Sequence, residues 1–228
     1  MSAIINEFIT LRNDLGEWDI DRINTELQHL LVTNGYVWDA WKSQGQVIKD
    51  GKLYPDYGVD LNLTSNNDLC QTLHDRLWKY SGRYYKDATV EHAELSTVLP
   101  EIEGTYLAGM IAHFQTIFGP IRVRLHNRVN LVGLYWHIDK NSENRFHLPL
   151  WTSPGHFLVW TDQFSTWLPS FDPEDCKKSM KFNAEFIPAD GKVRLLATHD
   201  IMHGVANIGV GWKNPRLQSR CHLTFWKI

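Results

Sequence analysis

Residues Leu131–Leu150 read LVGLYWHIDKNSENRFHLPL, and this stretch decides how the rest of the chain is read. An apolar, aromatic run ends in His137-x-Asp139. A polar turn follows, and then Arg145 and His147 alternate with Phe146, Leu148 and Leu150. On extended backbone, side chains two residues apart point to the same side. His137 and Asp139 can therefore occupy adjacent positions on one metal ion. A further imidazole would complete the two-histidine, one-carboxylate face that suits non-heme iron(II). In a chain with 11 histidines, His-x-Asp alone is a weak motif, and its surroundings must carry the argument.

The third ligand is sought in Ala184–Asn207, AEFIPADGKVRLLATHDIMHGVAN. Asp190-Gly191 reads as a turn, Lys192–Ala197 as a strand and Thr198–Met202 as a short loop, after which His203 opens another strand. His199 competes for the same role. His203 is preferred because Gly204, Val205 and Ala206 follow it, whereas His199 shares a polar turn with Asp200. Thr198 or Asn207 could orient His203.

Downstream, Arg220-Cys221-His222-Leu223-Thr224-Phe225-Trp226 alternates like Arg145-Phe146-His147-Leu148. Each strand puts an arginine and a histidine on one face and apolar residues on the other. Arginines on an inward face need an anionic partner, which a dicarboxylate supplies through bidentate hydrogen bonds. An ion pair within the protein is the alternative. Arg122 and Arg124, on the alternating stretch Ile121–Leu125, read equally well as the wet face of a strand.

The chain has 228 residues, 43% of them hydrophobic and 21% charged, which fits one domain with a substantial core. Its 10 Trp, 8 Tyr and 10 Phe favour strands and pocket walls. A formal charge of −3 gives no support for a nucleic-acid partner. Cys70, Cys176 and Cys221 are odd in number and scattered, as expected of reduced thiols in a cytoplasmic protein. No segment approaches the roughly 20 apolar residues of a membrane span.

Hydrophobic periodicity predicts helices over 2–34, broken at Gly16, over 67–84, and over 101–118, ending at Gly119-Pro120. Residues 35–66 read as strands and loops whose Trp38, Trp41, Tyr54 and Tyr57 cover a sheet edge or wall a pocket. From Ile121 onward only short strands are expected. The prediction is thus an α+β chain, with a mainly helical half over 1–118 packed on a β core over 119–228 as one domain.

His137-x-Asp139, Arg145-x-His147-x-Pro149, Gly191-x-Val193, His203-Gly-Val-Ala-Asn207 and Arg220-x-His222-Leu223 together resemble the 2-oxoglutarate-dependent iron(II) dioxygenases. Within that family the chain looks most like the aspartyl/asparaginyl β-hydroxylase-like branch. The resemblance covers about residues 118–226. It implies a double-stranded β-helix, a cupin-like jelly roll, behind flanking helices. It also implies Fe(II) on His137, Asp139 and His203, which would be the catalytic centre. Co-substrate 2-oxoglutarate would sit on Arg220 with help from Arg145 and His147, and O2 would be consumed in hydroxylating an amino acid or a peptide side chain.

The β-hydroxylase branch proper lacks a carboxylate ligand at the position of Asp139, so this chain departs from it by carrying the full triad. The segment 209–216 is longer than the family's usual hairpin and makes Arg216 a rival to Arg220. Two other readings remain open on the same barrel: a small-anion binding protein without turnover, and a metal-dependent isomerase or lyase.

Overall fold

The computed structural model describes residues 8–34, 47–49, 52–54, 58–65, 96–129, 134–139, 145–161, 183–207 and 219–227. They are mostly β-sheet, with two α-helices, α1 (Ile20–Thr33) and α2 (Tyr106–Phe118). The strands are β1 (Ile9–Leu11), β2 (Val47–Lys49), β3 (Lys52–Tyr54), β4 (Gly58–Asn62), β5 (Thr64–Ser65), β6 (Thr97–Val98), β7 (Ile121–Val129), β8 (Leu134–His137), β9 (Arg145–Thr152), β10 (His156–Thr161), β11 (Asn183–Glu185), β12 (Arg194–Leu196), β13 (Met202–Asn207) and β14 (Ser219–Lys227). The helix expected over 67–84, together with Trp38, Trp41 and Tyr57, lies outside the described residues.

Two antiparallel sheets dominate. One is six-stranded, in the order β1-β12-β9-β14-β7-β4, and the other four-stranded, in the order β11-β10-β13-β8. β14 is the spine of the larger sheet. It pairs with β7 from Ser219↔Val129 to Lys227↔Ile121, and with β9 from Arg220↔Thr152 to Phe225↔Phe146. The β9 register slips between Cys221 and His222, opposite Pro149 and Trp151. Proline cannot donate to a ladder, so in a central strand it belongs at such a bulge. The extra residue turns Trp151 to the side already occupied by Leu150, and both pack on the helix-side core.

Alternation gives the three central strands two unlike faces. On one face Val123, Leu125, Phe146, Leu148, Cys221, Leu223 and Phe225 form a single core with Ile23, Leu27 and Leu31 of α1 and Leu107, Met110, Ile111 and Phe114 of α2. Phe225 stacks on Phe114, with ring centroids 4.3 Å apart, and on Phe146 at 5.1 Å. Each such fully buried side chain contributes about 1.5–3 kcal/mol.

The helices are anchored at their starts. Asp19 caps α1 by accepting the Arg22 N–H. Glu26 of α1 reaches across to accept the N–H groups of Tyr106 and Leu107, each at 2.8 Å, at the first turn of α2. No helix among the described residues is long and apolar enough to cross a membrane.

The helix predicted over the first part of 2–34 is overturned where the chain is described. Residues 9–11 are a strand on the edge of β12, and a single 3-10 turn occupies Asn13–Leu15. Phe8 to Trp18 runs as a strap alongside 197 to 191: the Ala197 N–H donates to the Phe8 carbonyl, Arg12 N–H to the Val193 carbonyl, and Trp18 N–H to the Gly191 carbonyl. The open hydrogen-bonding edge of β12 outweighs a local spacing that suits a helix. Gly191 makes the close approach possible, because its φ is +77° and a Cβ there would collide with the Trp18 carbonyl. The wet-face reading of Arg122 and Arg124 also fails: they are 1% and 9% exposed, on the face of β7 opposite the apolar residues that meet the helices.

Candidate metal centre

The second sheet brings His137 and His203 together, since the two residues are direct partners in the β8–β13 register. Their ring centroids lie 4.3 Å apart. Asp139 follows two residues after the end of β8, and its N–H donates to the Thr198 carbonyl at 2.9 Å. That backbone bond folds the Asp139 carboxylate back over both imidazoles. Oδ1 lies 3.8 Å from His137 Nε2, and Oδ2 lies 3.8 Å from His203 Nε2. One ligand atom from each of the three residues lies within 4.8 Å of the other two. The donor set, two imidazoles and a carboxylate, is that of a facial iron(II) site.

The tautomer of His203 is set by its surroundings. Its Nδ1–H donates to the Ile201 carbonyl at 3.0 Å, so Nε2 is left as a lone-pair donor facing Asp139. Burial, and secondarily the neighbouring His137, push the His203 pKa down to about 4, keeping the ring neutral and able to ligate near pH 7. His199 is elsewhere: exposed, with Nδ1 3.3 Å from the Asp139 backbone carbonyl. Thr198, weighed as an orienting group for His203, instead holds Asp139 through its carbonyl. The Asn207 side chain lies outside what is described.

Arg145, expected at the co-substrate, has its Nη1 3.4 Å from Asp139 Oδ2 and its guanidinium 5.1 Å from the centroid of Trp226. His147 and Arg220 meet deeper in the sheet, with Arg220 Nη2 3.4 Å from His147 Nδ1. A guanidinium only donates, so Nδ1 accepts and the remaining proton of neutral His147 must sit on Nε2. Burial first, and then the charge of Arg220, hold the His147 pKa well below its ordinary 6.5. His147 is 8% exposed and its Nε2 has no hydrogen-bond partner. The same holds for Oγ1 of Thr224, 1% exposed and directly opposite His147 in the β9–β14 register. Buried polar atoms of this kind are uncommon and call for an explanation.

Sequence reasoning did not single out His126 or Asn62. The His126 ring stacks on His222 with centroids 5.1 Å apart, and His222 stacks on His147 at 4.9 Å, giving three parallel imidazoles across β7, β14 and β9. Asn62 Oδ1 accepts from Arg122 and Arg124 at 3.1 and 3.0 Å. The available signal was the two-residue alternation of Arg122, Arg124 and His126, in phase with Thr224 and His222 across the ladder. Arg216 lies outside the described residues.

With this geometry in view, comparison with known proteins adds a set of distant likenesses. No protein-family model matches the sequence, and no curated protein matches it. Among solved structures the chain is similar to an oxidoreductase of the 2OG-Fe(II) oxygenase family from Burkholderia pseudomallei, at 17% identity and a TM-score of 0.32, covering 50% of each chain. It is also similar to a bsmA homolog from Methylobium petroleophilum, at 12% identity and a TM-score of 0.43, covering 94% of this chain and 84% of that one. A third is HygX from Streptomyces hygroscopicus with nickel and 2-oxoglutarate bound, at 15% identity and a TM-score of 0.31, covering 46% of this chain and 55% of that one. The chain thus spans about half the length of the Burkholderia and HygX proteins.

Proposed function

We propose that this chain is an iron(II)- and 2-oxoglutarate-dependent dioxygenase that hydroxylates an amino acid or a peptide side chain. The observation that carries the reading is the convergence of His137, Asp139 and His203, with Nε2 of His203 fixed toward the carboxylate. The connectivity supports it. β7, β9, β12 and β14 lie in one sheet while β8, β10, β11 and β13 lie in the other, so the chain passes back and forth between them. We read that alternation as a double-stranded β-helix. Buried, reduced Cys221 fits a cytoplasmic protein.

His137, Asp139 and His203 would hold the iron. Iron held there would supply oxidation of a substrate C–H bond by O2, coupled to conversion of 2-oxoglutarate to succinate and CO2. The residues around it have separable tasks. Arg145 lies against Asp139 and steadies the carboxylate in place. Arg220, the Nε2–H of His147 and the hydroxyl of Thr224 offer donors to the distal carboxylate of 2-oxoglutarate, which would satisfy the two buried atoms that otherwise lack partners. The stacked imidazoles of His126, His222 and His147 keep this end of the interior filled and dry. The exposed flank of the centre is at His137, whose side chain is 27% accessible against 8% for His203, and substrate would approach from there.

The test is spectroscopic. Iron(II) and 2-oxoglutarate added anaerobically should give the wild-type chain a weak visible charge-transfer band that His137→Ala abolishes. A folded wild-type chain without that band overturns the proposal. Screening amino acids and peptides for stimulated succinate release then identifies the substrate.

A further inference from the structure

The strap of residues 8–18 does more than cover the edge of β12. Its first described residue, Phe8, is 2% exposed and packs with Leu158 of the four-stranded sheet and Leu196 of the six-stranded sheet. The Phe8 ring stacks on Trp160 with centroids 4.9 Å apart and lies 5.6 Å from the ring of His203. Trp160 is itself the direct partner of His203 in the β10–β13 register. Phe8 belongs to a small core with Leu158, Ile187 and Leu196, against which Ile201 packs.

Ile201 is the residue whose carbonyl accepts the His203 Nδ1–H. Backbone bonds run the same way: Ala197 N–H donates to the Phe8 carbonyl at 2.9 Å, and Ile201 N–H donates to the Ala197 carbonyl at 3.1 Å. The strap therefore reaches His203 by two routes, through the ring behind its imidazole and through the turn that fixes its tautomer.

We propose that Phe8 is a positioning residue for the metal centre, fixing the orientation in which His203 presents Nε2. The inference rests on the reading of His137, Asp139 and His203 as metal ligands. A ligating histidine depends on the packing and hydrogen bonds behind it for ring orientation, and loss of such support typically costs about 10–100-fold in metal affinity. Truncating Phe8 leaves a cavity into which the His203 and Trp160 rings can turn.

The experiment titrates Co(II) into the full chain, following affinity and the visible d–d spectrum. Wild type is compared with Phe8→Ala, Phe8→Leu and the control Leu27→Ala, whose side chain is 0% exposed in the helix-side core. Phe8→Ala should bind Co(II) about 10–100-fold more weakly with an altered spectrum. Phe8→Leu, which keeps the apolar plug but not the ring, should show a smaller loss. Leu27→Ala should lower the melting temperature and leave the Co(II) affinity unchanged.

The inference is overturned if the Phe8 variants bind as wild type, or if Leu27→Ala weakens binding equally. Should Phe8→Ala not fold, a folded Phe8→Leu with wild-type affinity and spectrum overturns it alone. A folded wild type that binds no Co(II) overturns the metal reading, and this inference with it.

Discussion

Thr224→Val should move stability and co-substrate binding in opposite directions. Thr224 is 1% exposed on the inner face of β14, with Arg124 opposite on one side and His147 on the other. Its Oγ1 has no hydrogen-bond partner. A buried hydroxyl without a partner costs about 1–3 kcal/mol, and an apolar group of the same shape removes that cost. The metal-free variant should therefore be more stable than wild type by about 1 kcal/mol or more, raising Tm by about 2–4 °C per kcal/mol in a chain of this length. If the hydroxyl instead donates to a carboxylate of 2-oxoglutarate, its removal loses a charge-assisted hydrogen bond of about 1.5–3 kcal/mol, or about 10- to 150-fold in affinity. Thermal melts of the metal-free chain and 2-oxoglutarate titrations of the metal-loaded chain measure the two quantities. A variant that melts lower and binds 2-oxoglutarate as wild type does would refute the reasoning on both counts.

Acid should destabilise the metal-free chain in a defined window. His203 and His147 are held neutral by burial, with folded pKa values of about 4 and well below 6.5. Between those values and the unfolded 6.5 the unfolded chain binds more protons, so stability falls as pH drops below about 6.5 and keeps falling to about 4, by about 3 kcal/mol for His203 alone. Denaturant melts that are flat across that window would contradict it. Glu26→Ala strips the carboxylate from two N–H groups at the start of α2 and should cost about 1–3 kcal/mol, with Glu26→Gln recovering part; an unchanged melt counts against this. Gly191→Ala forces a side chain at φ +77° into the Trp18 carbonyl. It should cost about 1–3 kcal/mol and speed proteolysis within 8–18, and a wild-type digestion pattern would show the contact to be unimportant.

The core of the site was legible because strand alternation is a strict code. Arg145-x-His147 and Arg220-x-His222 each declare one face of a strand, and the structure keeps each pair on a common side; Asp139 lies beyond the end of β8, and the bond from its N–H to the Thr198 carbonyl, which alternation does not announce, brings it to His137. The preference for His203 over His199 rests on its small apolar neighbours and on the polar turn that His199 shares with Asp200; in the structure His203 is the direct register partner of His137. The strap was less legible. Phe8, Ile9 and Leu11 carry a spacing that a helix and an edge strand both accept, and the deciding partner, the free edge of β12, lies far away in sequence. Arg122 and Arg124 were hard to place for a related reason. Alternation names two faces of a strand without saying which one meets water, and only the packing of α1 and α2 on the apolar face settles that.

The bulge opposite Pro149 has a consequence for how this molecule can change over time. Up to that point each of β7, β9 and β14 keeps two sets of side chains on opposite sides, one packed against the helices and the other on the opposite face. Substitutions can therefore accumulate in one set while the other stays constant, and the interior set can change without renegotiating helix packing. Past the bulge, where Leu150 and Trp151 lie on the same side, that independence ends. There a single insertion or deletion would exchange the roles of every residue that follows in the strand.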